Sequence, residues 1–116
     1  MSYLTDKKAY ETRASVIKAM AHPARLFIVE ELARKERCVC DLTDMIGSDV
    51  STVSKHLSVL RNAGIVNSRK EGTQIIYNLK MPCVLGFFNC VESVIRESAR
   101  EQLTLIEING RQERSR

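Results

Sequence analysis

The 116-residue chain has no apolar run near the ~18 residues that a membrane span needs, and Met1 to Lys8 lack the apolar core of an export signal. These two absences argue against a membrane or secreted protein and point to the cytoplasm. Histidine is scarce, with only His22 and His56. The four cysteines, at 38, 40, 83 and 90, form neither a pair of Cys-x-x-Cys knuckles nor a Cys/His finger, which argues against a structural zinc finger. Also missing are a Cys-x-x-Cys redox motif, a Gly-rich phosphate loop and a convincing catalytic His/carboxylate pairing, so the chain does not read as an enzyme. In a reducing cytosol the thiols stay free, which leaves metal binding or redox chemistry as their use.

The composition fits one domain: 44% of the residues are hydrophobic. A chain this short buries only part of its surface and often gains stability by pairing, so a homodimer is expected. The net charge of +4 suits a polyanion such as double-stranded DNA, but a balance of this size is common.

The residue pattern gives mostly helices with one hairpin. A first helix runs from about Lys8 to Met20; Ala21-His22-Pro23 breaks it, and Pro23 suits the first turn of a second helix reaching about Lys35. In that second helix Leu26, Phe27, Ile28, Val29, Leu32 and Ala33 point nearly all round, the mark of a central buried helix. A short third helix begins at Val39 or Asp41 and ends at Ile46, where Gly47 is placed to stop it.

Ser51 begins a fourth helix. Val53, Leu57 and Leu60 fall within about 40° of one direction, and Ser51, Lys55, Ser58 and Asn62 within about 40° of the opposite one. Thr52 and Val59 flank the polar face, where they could touch thymine methyls, and His56 and Arg61 sit at its edges within reach of bases or phosphates. An ordinary amphipathic surface helix has the same pattern, so the segment after the helix decides between the two. Ala63-Gly64 closes the helix, Ile65–Lys70 and Ile75–Leu79 read as strands, and Glu71-Gly72-Thr73-Gln74 is the turn between them. A short helix, a turn, a polar helix and then a basic hairpin is a winged helix-turn-helix. The candidate DNA contacts are Ser51, Thr52, Ser54, Lys55, His56, Ser58, Arg61 and Asn62 on the helix, with Arg69, Lys70, Thr73 and Gln74 near the wing tip.

Pro82 is read as opening a last helix that extends to about Arg100 or beyond, with Cys83, Phe87, Cys90 and Val94 on one face, suited to a dimer seam against the first helix. Cys83 and Cys90 read either as small hydrophobes packed in that seam or as ligand or redox thiols. Arg111 to Arg116 is polar and charged and reads as a frayed end. The expected architecture is therefore mostly α with a small β-hairpin, homodimeric, one domain over 1–116. Its recognition helix covers about 51–63, its wing about 65–80, and its dimerisation helices about 8–20 and 82–100.

Cys38-Val39-Cys40 is the sensor that the chemistry favours, because thiolates select soft ions. Residues i and i+2 of a regular helix point about 200° apart, so the two thiols chelate one ion only from extended chain. If Asp41 is the N-cap they are already extended; if the helix begins at Val39, an ion must unwind its first turn. Either way the ion pulls on the first helix of the helix-turn-helix.

From about Val16 to Phe88 these residues resemble the arsenic-repressor (ArsR/SmtB) family of bacterial metal-sensing repressors. Ala21-His22-Pro23-Ala24-Arg25-Leu26 looks like that family's lead-in to its second helix, and Ser51 to Arg61 is close to its recognition helix. Glu36-Arg37-Cys38-Val39-Cys40-Asp41-Leu42 is similar to its Glu-Leu-Cys-Val-Cys-Asp-Leu metal box. The resemblance implies a symmetric dimer that occupies an operator when ligand-free and leaves it when Cys38 and Cys40 are filled, with arsenite or antimonite as inducer. Thr43 stands where arsenite-responsive members often carry a third cysteine. The third ligand then falls to Cys83 or Cys90 of either chain, a small thiol, or hydroxide. The N-terminal cysteines of cadmium and lead sensors and the carboxylate and histidine set of zinc sensors are absent. A redox or reactive-sulfur repressor of the same fold, or a cadmium-, lead- or zinc-responsive one, stays open as the alternative.

Overall fold

The computed structural model describes residues 2–114, with side chains through Ile108. Its element order is α1 Tyr3–Met20, α2 Pro23–Arg34, β1 Arg37–Cys38, α3 Val39–Ile46, α4 Val50–Asn62, β2 Val66–Glu71, β3 Gln74–Leu79 and α5 Val84–Arg114. The chain divides into two compact units, Met1–Pro82 and Cys83–Arg116. No helix among the described residues is long and apolar enough to cross a membrane.

In the first unit, α1 starts five residues earlier than its periodicity suggests and is interrupted by non-helical backbone at Asp6. Pro23 occupies the first turn of α2 as expected, behind a His22 N-cap. Only one side of α2 is buried, by Ile28, Val29, Glu31 and Leu32; Leu26, Phe27 and Ala33 are exposed. The expectation of a helix buried all round is thus corrected, since the core of this unit covers a single face. That core is made by α2 with α3, α4 and the sheet, around Ile28, Val29, Leu42, Val53, Leu57, Leu60, Ile65 and Val66.

The turns obey local chemistry. Gly47 caps α3 in the left-handed region, φ 77°, and its amide donates to Thr43 O. At the end of α4, Ile65 N–H donates to Leu60 O and Gly64 N–H to Arg61 O, each at 3.0 Å, with Gly64 at φ 78°. This is a Schellman motif, and its characteristic apolar contact falls to the fully buried Leu60 and Ile65. Ile65 O then accepts from the amides of Lys80 and Met81, which ties the base of the wing to its far end.

Sequence periodicity misses one element. Arg37 and Cys38 form a third strand, giving an antiparallel sheet in the order β1-β3-β2, with Arg37 opposite Tyr77 and Cys38 opposite Ile76. Two residues carry no alternation to read. The wing hairpin is tighter than expected: Glu71 and Gln74 pair, leaving Gly72-Thr73 as the loop. Gly72 sits at φ 64°, the positive value a type II′ hairpin needs at its first central position.

The second unit is α5 alone. Pro82 and Cys83 lie in a turn before it rather than inside its first turn, so Cys83 is not on the helical stripe with Cys90. The helix continues past Arg100, as the open-ended expectation allowed, through Arg114 and so through most of the segment read as frayed; Ser115 and Arg116 lie outside the described residues.

Glu31 is the one buried charged residue among those described, 4% exposed. Arg37 donates to its Oε1 from Nε at 3.2 Å and from Nη2 at 2.9 Å, and the exposed Arg34 approaches Oε2 at 3.6 Å. The fork joins α2 to β1. Arg37→Met is expected to leave a buried carboxylate short of its main partner and to destabilise the protein by about 2–4 kcal/mol in urea unfolding. A loss below about 1 kcal/mol would put the pair with ordinary surface bridges.

Candidate functional site

Helix α4 comes after α3 and the three-residue turn Gly47-Ser48-Asp49. Its N-cap is Asp49, not the residue before Ser51, because the Asp49 carboxylate accepts from Thr52 N–H at 2.7 Å. Hydrogen bonds from Thr52, side chain first and then backbone, hold Asp49 below the usual carboxylate range. An Asp three positions before Thr52 was the available signal for this start.

The faces of α4 divide as the periodicity predicts. Val53, Leu57 and Leu60 are fully buried, while Ser51, Thr52, Lys55, Arg61 and Asn62 are exposed and Ser54 and Ser58 half-buried. A small, polar, basic surface results, bordered by the partly exposed Val59. His56 departs from the expected outward pose. Its Nδ1 accepts from Arg25 Nε at 3.2 Å, and its ring lies 4.4 Å from that of His22. Burial and then the nearby His22 and Arg25 push its pKa down.

On the wing, Lys70, Thr73 and Gln74 are exposed and Lys70 is in no ion pair among the described residues. Arg69 is engaged: its Nη2 donates to Glu36 at 2.7 Å and to Glu71 at 3.4 Å. The hydrogen bond to Glu36 holds that carboxyl below its ordinary value and raises Arg69. Sequence spacing gives no sign of a partner 33 residues away.

The cysteines fall in three settings. Cys38 is buried, 7% exposed, and is the N-cap of α3, its Sγ accepting from Asp41 N–H at 3.4 Å. Cys40 is exposed in the first turn of that helix. Of the two registers open from sequence, the helix therefore begins at Val39, and one thiol lies in strand while the other lies in helix. Thr43 braces the same turn, its hydroxyl donating to Val39 O at 2.8 Å. Cys83 and Cys90 are exposed, and no group of three or more His, Cys, Asp or Glu residues among those described is arranged to hold a metal.

Residues 22–68 match the sequence pattern described as "Bacterial regulatory protein, arsR family". The chain is 31% identical over 105 residues to the uncharacterized HTH-type transcriptional regulator Rv0081 of Mycobacterium tuberculosis, spanning 90% of this chain and 92% of that one. The crystal structure of Rv0081 superposes with a TM-score of 0.72 over 82% of this chain and 96% of that one. A homodimeric winged helix-turn-helix DNA-binding domain from Mycobacterium bovis, described as a possible ArsR-family regulator, gives 0.70 at 34% identity over 81% and 88%. Reduced HlyU from Vibrio cholerae gives 0.67 at 29% over 80% and 97%.

Phosphate contacts should differ between the two basic residues of the wing. Lys70→Ala is expected to lower the salt slope of duplex binding by about 1. Arg69→Ala should lower it by clearly less, because Glu36 and Glu71 already offset that charge. Ser51→Ala and Lys55→Ala should weaken specific binding more than binding to scrambled DNA. Isotherms over a range of salt decide this, and equal slopes for the two wing variants would mean that the Arg69 pairs open on DNA.

Proposed function

Because the chain belongs to the arsR family of bacterial regulatory proteins and is a winged helix-turn-helix transcriptional repressor, we propose that it is a homodimer that binds operator DNA when ligand-free and is released by arsenite or antimonite. The observation that carries the reading is the placement of Cys38 and Cys40 on either side of the strand-to-helix switch that opens the helix-turn-helix. Trivalent arsenic and antimony are thiophilic, and two thiolates at this point act on α3 directly.

The path is short. Cys38 is buried and caps α3, whereas Cys40 is exposed within its first turn. Joining both sulfurs to one atom requires the Asp41 N–H to lose its cap and the Val39–Cys40 turn to open. Helix α3 packs on α4, so an opened α3 no longer presents Ser51, Thr52, Ser54, Lys55, Ser58, Arg61 and Asn62 in the geometry that reads a major groove. A third ligand comes from Cys83, Cys90, a small thiol or hydroxide. Dimerisation uses the exposed apolar residues of α1, such as Leu4 and Ile17, and of α5, such as Phe87, Val91 and Val94.

A second reading keeps the same DNA chemistry but makes the thiols a redox or reactive-sulfur switch. It is favoured by the exposure of Cys40, Cys83 and Cys90 and by the likeness to HlyU, a protein solved in reduced form. Anaerobic titration of the reduced protein on operator DNA with arsenite, antimonite, cadmium, zinc and a persulfide donor separates the readings.

Cys38→Ser and Cys40→Ser are each expected to abolish release by arsenite and to preserve ligand-free DNA binding. A serine hydroxyl is a better N-cap acceptor than a thiol, so the first variant should keep α3 intact. Release of the double variant by arsenite would move the sensor elsewhere. X-ray absorption then assigns the remaining ligand: Cys83→Ala with Cys90→Ala should leave the number of arsenic–sulfur bonds and the release unchanged if these residues only pack. A loss of one sulfur together with loss of release would make them ligands.

A further inference from the structure

We propose that Arg25 is a positioning residue for the DNA-reading helix, and that the Arg25–His56 contact holds that helix in place only while the His56 imidazole is neutral, so that sequence-specific DNA binding is lost on acidification. The inference rests on α4 being the DNA-reading helix and adds a control to it that is independent of the cysteines.

The geometry is specific about protons. Arg25 spans three elements: Nη1 donates to Ala19 O near the end of α1 at 3.0 Å, its backbone belongs to α2, and Nε donates to His56 Nδ1 on α4 at 3.2 Å. His22 Nδ1 accepts from Ala24 N–H at 3.0 Å and so caps α2. Both rings therefore use Nδ1 as an acceptor, which requires the neutral form with its proton on Nε2. The rings lie 4.4 Å apart, centroid to centroid.

Protonating His56 turns its Nδ1 into a donor facing a guanidinium donor, and sets a cation beside a cation. The surroundings offer no compensation. The titratable and charged groups that act on His56 are His22 and Arg25, and α1 adds a cation, Lys18, which lines the same groove as Arg25. Among the described residues no carboxylate pairs with Arg25, His22 or His56. That groove, about 350 Å³ and open, also borders Val59, Asn62 and Ala63 at the end of α4, so it exposes the Arg25 side of the junction.

His56 has a folded-state pKa below its unfolded value, so its contribution to stability is fully present above the unfolded pKa. It is lost as pH falls through the folded pKa. Added positive charge strengthens non-specific attraction to phosphate over the same interval. Specific and non-specific binding should therefore part company as pH drops.

The test uses the full-length reduced protein and a duplex of about 30 base pairs selected from a random pool, long enough for two half-sites, with its scrambled counterpart. Affinity for both is measured from pH 7.5 to 5.5 at fixed ionic strength. The wild-type ratio of selected to scrambled affinity is expected to fall steadily across this range, with affinity for the scrambled duplex holding or rising. His56→Gln, whose amide oxygen accepts from Arg25 at every pH, should give a ratio that does not vary with pH, whatever affinity it retains. Arg25→Met should weaken selected-duplex binding at pH 7.5 and move the His56 ring titration, tracked by NMR without DNA, back toward the ordinary histidine value. A pH-independent wild-type ratio, an equal fall in His56→Gln, or an unchanged ring titration in Arg25→Met would each overturn the proposal. Failure to bind any duplex at pH 7.5 would instead remove the DNA-reading assignment of α4.

Discussion

Arg37 and Cys38 have to be edge strand and helix cap at once, and the rest of the DNA-binding unit is arranged around that double duty. Their pairing with Tyr77 and Ile76 makes a three-stranded sheet from what is otherwise a lone hairpin, and lone hairpins are marginal in water. Their extended backbone also sets where α3 starts, because the Cys38 thiol receives the Asp41 N–H, one of the free amides of that helix's first turn. Helix α3 packs on α4, so the position of the polar face Ser51–Lys55–Asn62 descends from a two-residue strand. The Glu31–Arg37 fork is what fixes that strand to α2. A buried carboxylate is a poor way to add net stability. Its use here is geometric, since two N–H groups of one guanidinium converging on Glu31 Oε1 constrain the placement of the segment that carries the thiols.

The features legible in the sequence are those that repeat or that have turn chemistry. The core face of α4 was legible because Val53, Leu57 and Leu60 recur at helical spacing, and its end because Ala63-Gly64 supplies the left-handed residue that a Schellman motif requires. The wing was legible from two β-rich runs flanking Gly72. β1 was not, because two residues have no period. Glu31 lies within an apolar helix and reads as solvent-facing until a partner six residues on turns back to meet it. His56 falls at the edge of the polar face by angle, but its direction is decided by Arg25, 31 residues earlier. Pro82 suits both the first turn of a helix and a β-turn, and only the structure separates these. For β1, Glu31 and His56 the missing information was a contact outside the local pattern.

The net charge also means less than its sum. Arg69 on the wing is held by Glu36 and Glu71, and Glu36 directly precedes the strand that leads to the cysteines. All three groups are exposed, so the pairs add little to stability and are screened by salt. Their effect is on placement: the wing arginine is tethered toward the cysteine segment, and the positive charge free to meet phosphate is concentrated on Lys55, Arg61 and Lys70.

On the proposed reading, ligand and DNA compete for the same helical turn. DNA binding needs α3 closed and a ligand shared by Cys38 and Cys40 needs its first turn open, so the coupling energy is the DNA affinity that the opening forfeits, and it grows with how much of the structure opens. Locally the opening breaks the Asp41 N–H to Cys38 bond and the Thr43 to Val39 bond, each worth about 1 kcal/mol net. That sum lies in the usual allosteric range of about 1–3 kcal/mol, or roughly 5- to 150-fold. A larger coupling would require β1 to leave the sheet as well, giving up its pairing with β3 and stranding Glu31. Linkage makes the effect reciprocal, so the DNA-bound protein must hold the ligand more weakly by the same factor. The size of the coupling therefore reports how far the opening spreads: a modest factor means an unwound turn, and a very large one means that the strand has left.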